Sequence, residues 1–217
     1  MTRRARDRKS LKRRAPYRVP RERILIVCEG RKTEPNYFKA TRTELKLTSV
    51  EVEVVGEGEA PINVVNTALE RVADQRRAAA RSAVEGEYDS VWCVMDVEAP
   101  TPHESLSRAI DRAGANKLSV ALSNPCFEYW YLLHFERTSA LMPTNGHVIR
   151  ALKKHFPSYA KSDSAILREL SSRTETAIDN AEAALREKHC GEDLRQHNPS
   201  THVHRLVAKL RTVGTKP

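Results

Sequence analysis

At 217 residues and 40% hydrophobic side chains, the chain can bury one sizeable core and at most a small appended subdomain. No run of about 18 apolar residues occurs, and no apolar signal region follows the basic N-terminus, so a soluble cytoplasmic protein is expected rather than a membrane-spanning or exported one. The formal net charge of +9 lies entirely at one end: residues 1–23 carry eleven Lys/Arg against Asp7 and Glu22, and the remainder is neutral by count.

A segment this charged cannot bury enough apolar surface to fold alone, so residues 1–22 are expected to form a disordered basic arm. Arg3, Arg4, Arg13 and Arg14 are its candidate nucleic-acid contacts. Attraction of this kind is salt-dependent and indifferent to base sequence. A solvated tail without a partner is the alternative reading. Cys28, Cys93, Cys126 and Cys190 show no CxxC spacing, and three lie in or beside apolar segments as small buried thiols. Disulfides and a cysteine-based zinc site are not expected.

Ile24–Gly30 (ILIVCEG) opens the folded part. Its apolar run predicts a strand covered on both faces, as in a parallel sheet, with Glu29 at the carboxyl end where open α/β sheets gather ligands. Thr33 is a candidate N-cap and Pro35 fits a first turn, so a helix is expected from Glu34 to Leu47. Val50–Val55 (VEVEVV) alternates apolar and acidic residues, as an edge strand would. Gly56–Glu59 reads as a loop. Ile62, Val65, Leu69 and Val72 recur at helical spacing up to about Ser82, with Arg71, Arg76, Arg77 and Arg81 on the outer face.

Val91–Met95 predicts a third strand, which runs into Asp96 and Glu98. On extended backbone, acids at i and i+2 point to one side. Thr101-Pro102-His103-Glu104 has the pattern of a capping box before a helix that stops at Gly114. Leu118–Leu122 is the fourth strand. Ser123-Asn124-Pro125 then reads as a helix start, with Asn124 capping and the helix running through Glu136.

Four strands alternating with helices predict an α/β fold: a parallel sheet of about four strands sandwiched by helices, with right-handed crossovers. It should occupy residues 23–138. Residues 139–217 show no further strand pattern and are expected to be a helical C-terminal extension packed on the same core. Its helices are read at His147–Phe156, Ser164–Ser172, Thr176–Lys188 and Thr201–Arg211, the last capped by Thr201.

Glu29, Asp96 and Glu98 therefore converge on one sheet edge if the strands are neighbours. Two carboxylates about 4 Å apart repel by roughly 4 kcal/mol at an effective dielectric near 20, so such a cluster needs protons, basic partners or a cation. Mg²⁺, with Mn²⁺ as a substitute, suits an all-oxygen site. Ordinary salt bridges to Arg31 or Lys32 are the competing reading. Around this site, Glu34, Ser123, Asn124, Glu128, His134 and Lys161 are candidate supporting or phosphate-binding residues, Glu128 because it falls in a first helical turn. His202 and His204 are further candidate phosphate contacts. The histidines show no zinc spacing.

The strings ILIVCEGRKTEPNYF, YDSVWCVMDVE and LSNPCFEYWYLLHF, with Tyr159-Ala160-Lys161 and NPSTHVHRLVAKL, resemble the RloB family from Ile24 to Leu210. The resemblance implies a Toprim-like domain found near restriction and phage-defence loci, Mg²⁺ held by Glu29, Asp96 and Glu98, nuclease activity on RNA or DNA in abortive infection, and a partner ABC-type ATPase. Glu98 stands where the D-x-D motif of Toprim-like proteins has its second Asp, one methylene further out. The expected function is a Mg²⁺-dependent nuclease. A non-catalytic nucleic-acid-binding or partner-regulated module on the same scaffold is the alternative, and a homo-oligomer is compatible with either.

Overall fold

The computed structural model describes residues 22–54, 60–81, 86–161, 165–187 and 194–215. The basic arm with Arg3, Arg4, Arg13 and Arg14, the Gly56–Glu59 loop, Cys190, and the expected helix ends Ser82, Ser164 and Lys188 lie outside the described residues.

The element order is β1 (Ile24–Cys28), α1 (Thr33–Glu44), β2 (Val50–Val54), α2 (Pro61–Arg81), β3 (Ser90–Asp96), α3 (Leu106–Ala115), β4 (Ser119–Asn124), α4 (Glu128–Leu133), α5 (Asn145–His155), α6 (Ala165–Ser171), α7 (Thr174–Glu187), a 3₁₀ turn (Leu194–Gln196), β5 (Ser200–Thr201) and α8 (Val203–Thr215). The strands form one mixed sheet in the order β2-β1-β3-β4-β5. The first four are parallel, with Ile24 opposite Val50 and Ser90, and Trp92 opposite Ser119. The fold is α/β.

Both faces of β1 are buried, as its unbroken apolar run requires. Ile24, Ile26 and Cys28 join a core with α1, α4 and the helices of residues 145–213. Leu25 and Val27 join a second core with α2 and α3. Burying an aliphatic side chain contributes about 1.5–3 kcal/mol. Four such residues outweigh the few kcal/mol of a neighbouring carboxylate pair, so the strand holds an acid at its end against charge repulsion. β2 is the sheet edge. Its Glu51 and Glu53 pair with Arg23 at 3.0 Å and Arg71 at 2.5 Å, charges that discourage further strand addition.

Four expectations are corrected. A fifth strand exists: β5 pairs antiparallel with β4, Ser123 opposite Thr201 and Asn124 opposite Ser200. Two polar residues carry no alternation, so nothing in their pattern announces it. Thr201 still caps α8, its Oγ1 accepting the Val203 N–H at 3.1 Å.

The capping box at Thr101 does not form. α3 begins at Leu106, and His103 Nδ1 accepts the Ser105 N–H at 3.1 Å instead. Thr33 is the first residue of α1 rather than its cap, and no side chain caps that helix.

Asn124 does not cap α4. The Asn124–Pro125 peptide is cis, α4 starts at Glu128, and the Asn124 side chain is engaged by Arg195 and Asn198.

Candidate active site

The sheet order reverses between β1 and β3. From β1 the chain moves outward to β2, and from β3 it moves the other way to β4. The helices that follow these two strands, α1 and α3, pack in opposite cores, so a crevice opens at the carboxyl ends of β1 and β3. Glu29 follows β1 and Asp96 ends β3. The cleft at this point is lined by Glu29, Glu34, Asp96, Glu98 and Glu128, and by Arg31, Lys32 and Lys161. His103 and Asn145 complete its wall.

Each acid has its own support. Glu29 continues the ladder, its N–H donating to the Val94 carbonyl at 3.1 Å, and its Oε2 accepts the Asp96 N–H at 3.2 Å. Asp96 Oδ2 accepts the Phe127 N–H at 3.1 Å, which ties β3 to the start of α4. Glu98 is exposed, and its φ of 57° takes it out of extended conformation. The i, i+2 rule therefore does not place it; the Glu98 N–H bond to the Pro125 carbonyl at 3.0 Å does.

Glu34 and Glu128 are buried at the first turns of α1 and α4. Glu128 Oε1 accepts the Tyr159 hydroxyl at 3.2 Å and lies 3.7 Å from Lys161 Nζ. Gly30 lets the Glu34 carboxylate lie against the backbone: a Cβ there would stand 2.2 Å from Glu34 Oε2.

Electrostatically the cleft is short of positive charge, with five carboxylates against three Lys/Arg. Burial pushes Glu29 up to about 7, with Glu98 and Glu34 adding and the Asp96 N–H opposing. Glu34 is also pushed up to about 7, first by burial and then by Glu128, against its own backbone amide and Lys161. Asp96 is held well above the usual carboxylate range by burial and by Glu34, Glu128 and Glu29. Without a counter-ion these groups retain protons near neutrality.

The donor set fits a hard divalent cation. Two buried side-chain oxygens on the cleft wall, Asp96 Oδ1 and Asn145 Oδ1, have no hydrogen-bond partner among the described residues. Carboxylate and amide oxygens are the ligands Mg²⁺ and Mn²⁺ take. As the side chains stand, no three His, Cys, Asp or Glu among the described residues are closed around a metal position. The acids share a cleft without being drawn to one point.

Of the remaining sequence-predicted residues, Lys161 lines the cleft and five, Ser123, Asn124, His134, His202 and His204, do not. Ser123 Oγ pairs with Thr201 Oγ1 at 3.0 Å in the β4–β5 seam. Asn124 holds the 194–198 turn. His134 is buried against Trp130 and Tyr37, its Nδ1 bonded to the Trp130 carbonyl at 2.9 Å, and burial pushes it down to about 4. At the start of α4 the Phe127 amide is occupied by Asp96.

His202 and His204 are buried away from the cleft; His204 bonds the Thr201 carbonyl. Cys28, Cys93 and Cys126 are buried free thiols. His103 and Asn145 escaped sequence reasoning. The only signal for His103 is a ring two residues before a serine at a helix start, and Asn145 gives none.

No helix among the described residues is long and apolar enough to cross a membrane. Comparison with curated proteins and with solved structures finds no match. A family model described as RloB-like protein matches residues 24–210, from the first residue of β1 into α8. The matched span contains every acid of the cleft, and the chain belongs to the RloB family.

Proposed function

We propose that this chain is a Mg²⁺-dependent nuclease with a Toprim-like site, hydrolysing phosphodiester bonds of RNA or DNA. The observation that carries this reading is the acid-rich cleft at the β1/β3 switch point, with Asp96 Oδ1 enclosed and unpartnered. Glu29, Asp96 and Glu98 would hold the ion, with Glu34 and Glu128 supporting them. When bound, the ion offsets phosphate charge and stabilises the oxyanion leaving group.

The protein's own groups do the rest. Glu29, pushed up to about 7 by burial in the metal-free chain, would release its proton when the ion binds. Phe127 N–H fixes the Asp96 carboxylate. Arg31, Lys32 and Lys161 give the rim positive charge for a phosphate backbone. Membership of the RloB family supports a role in anti-phage defence with an ABC-type ATPase partner.

The test is incubation of the purified chain with DNA and with tRNA in Mg²⁺, Mn²⁺ or EDTA. Metal-dependent loss of either substrate, abolished in D96N, is expected. Intact substrates throughout, or cleavage that survives EDTA and D96N, would overturn the reading.

A second reading, a non-catalytic nucleic-acid-binding module, is favoured by the open spacing of the acids and the exposed Glu98. Retarded but uncut nucleic acid in all metals would select it.

A further inference from the structure

We propose that His103 is a substrate-contact residue of this cleft, donating a hydrogen bond from Nε2 to a phosphodiester oxygen of a bound nucleic-acid strand. This rests on the nuclease reading and adds a contact to it.

His103 lies on the loop between β3 and α3, is exposed, and lines the same cleft as Glu29 and Asp96. Its Nδ1 accepts the Ser105 backbone N–H at 3.1 Å, and the buried Ser105 hydroxyl stands 3.0 Å from the same nitrogen. A backbone N–H can only donate, so Nδ1 presents its lone pair and the ring proton sits on Nε2. Among the described residues, no protein group takes that proton. The result is a directed donor in a fixed tautomer, with its ring already tethered.

The cleft's composition gives this donor a purpose. Its floor is acidic, so an anionic strand needs contacts on the wall that do not compete with the metal-binding oxygens. Lys161 already stands beside Glu128. A neutral N–H adds affinity and direction without neutralising the carboxylates. The same ring tethers the Ser105 amide just before α3, so a purely structural role must be separated from substrate contact.

Two isosteres make that separation. Asn in H103N keeps an acceptor near Nδ1 for Ser105 but lacks the distal donor. Gln in H103Q reaches the position of Nε2 with an N–H. The full-length chain is titrated against a labelled single-stranded oligonucleotide with Ca²⁺ in place of Mg²⁺, by fluorescence anisotropy, beside thermal melts. H103N is expected to bind about tenfold more weakly with an unchanged Tm, and H103Q within about threefold of wild type. Equal binding by H103N, or losses in both variants that follow Tm, would overturn this inference alone. Wild-type chain that binds neither DNA nor RNA would overturn the nucleic-acid reading with it.

Discussion

The backbone N–H of Asp96 donates to Glu29 Oε2 at 3.2 Å, so the acid that follows β1 is held by the strand that carries the second acid. Two residues 67 positions apart are fixed to each other before any ligand arrives. Parallel pairing of β1 with β3 brings them together, and the apolar runs behind them set that pairing.

Replacing Asp96 by Asn keeps a carbonyl oxygen for the Phe127 N–H but removes a buried charge. Cleavage should fall by roughly two orders of magnitude or more, as for loss of a preorganised electrostatic group. The metal-free variant should melt above wild type at pH 8, because the cost of burying the carboxylate, and with it repulsion from Glu34, Glu128 and Glu29, is relieved. Cleavage assays and thermal melts in EDTA check both. A D96N chain with normal turnover contradicts the assignment.

Glu29 also makes stability depend on pH. Its folded-state pKa of about 7 lies above the ordinary 4.5, so the folded chain binds this proton more tightly than the unfolded one. That contribution is fully present below about pH 4.5 and is lost as pH rises to about 7. His134 and His204, both pushed down to about 4 from 6.5 by burial, run in the opposite sense, losing stability as pH falls from 6.5 towards 4. Comparison with E29Q removes the histidine background. E29Q should match wild type near pH 4.5 and exceed it by on the order of 1–3 kcal/mol by about pH 8 without metal. Parallel stability curves for the two proteins would show that Glu29 is not perturbed.

Gly30 is required by contact with Glu34. A methyl group there meets the end of a flexible side chain, which swings away at small cost to the fold. G30A is expected to lose less than about 1 kcal/mol of stability, as substitutions outside tight cores do. Its activity should drop about tenfold, equivalent to about 1.4 kcal/mol in the barrier. Melting and cleavage measured on one preparation separate the two effects; unchanged activity would mean that Glu34 has no part in the site.

Tyr159 supports Glu128 from beneath the cleft. Y159F leaves the buried carboxylate with Lys161 at 3.7 Å but without the hydroxyl donor. A loss of about 1–3 kcal/mol is expected from denaturant unfolding. An unchanged midpoint would mean that the bond contributes nothing net.

Strands β1 to β4 and the placement of Glu29 and Asp96 are legible in the sequence, because continuous apolar runs mark buried strands and an acid directly after such a run has one place to go. β5 is illegible: Ser200 and Thr201 pair through backbone and hydroxyl groups, without apolar alternation. The Thr101-Pro102-His103-Glu104 pattern fails as a cap because His103 Nδ1 reaches the Ser105 amide and starts α3 later.

Ser123 and His134 are polar residues beside the site in sequence yet turned into the core, a distinction made by packing of α4 and β5 rather than by local pattern. Glu34 and Glu128 lie in first helical turns, and only the tertiary fold shows that both turns open on one cleft.

The central claim is that acids from separate strands jointly capture a divalent ion. Titrating the full-length chain with Mn²⁺ and following free Mn²⁺ by electron paramagnetic resonance tests it directly, with E29Q and D96N as controls. Saturable binding by wild type, weakened about tenfold or more in each variant, is the expected result. No saturable binding by wild type, or equal binding by all three proteins, would contradict it.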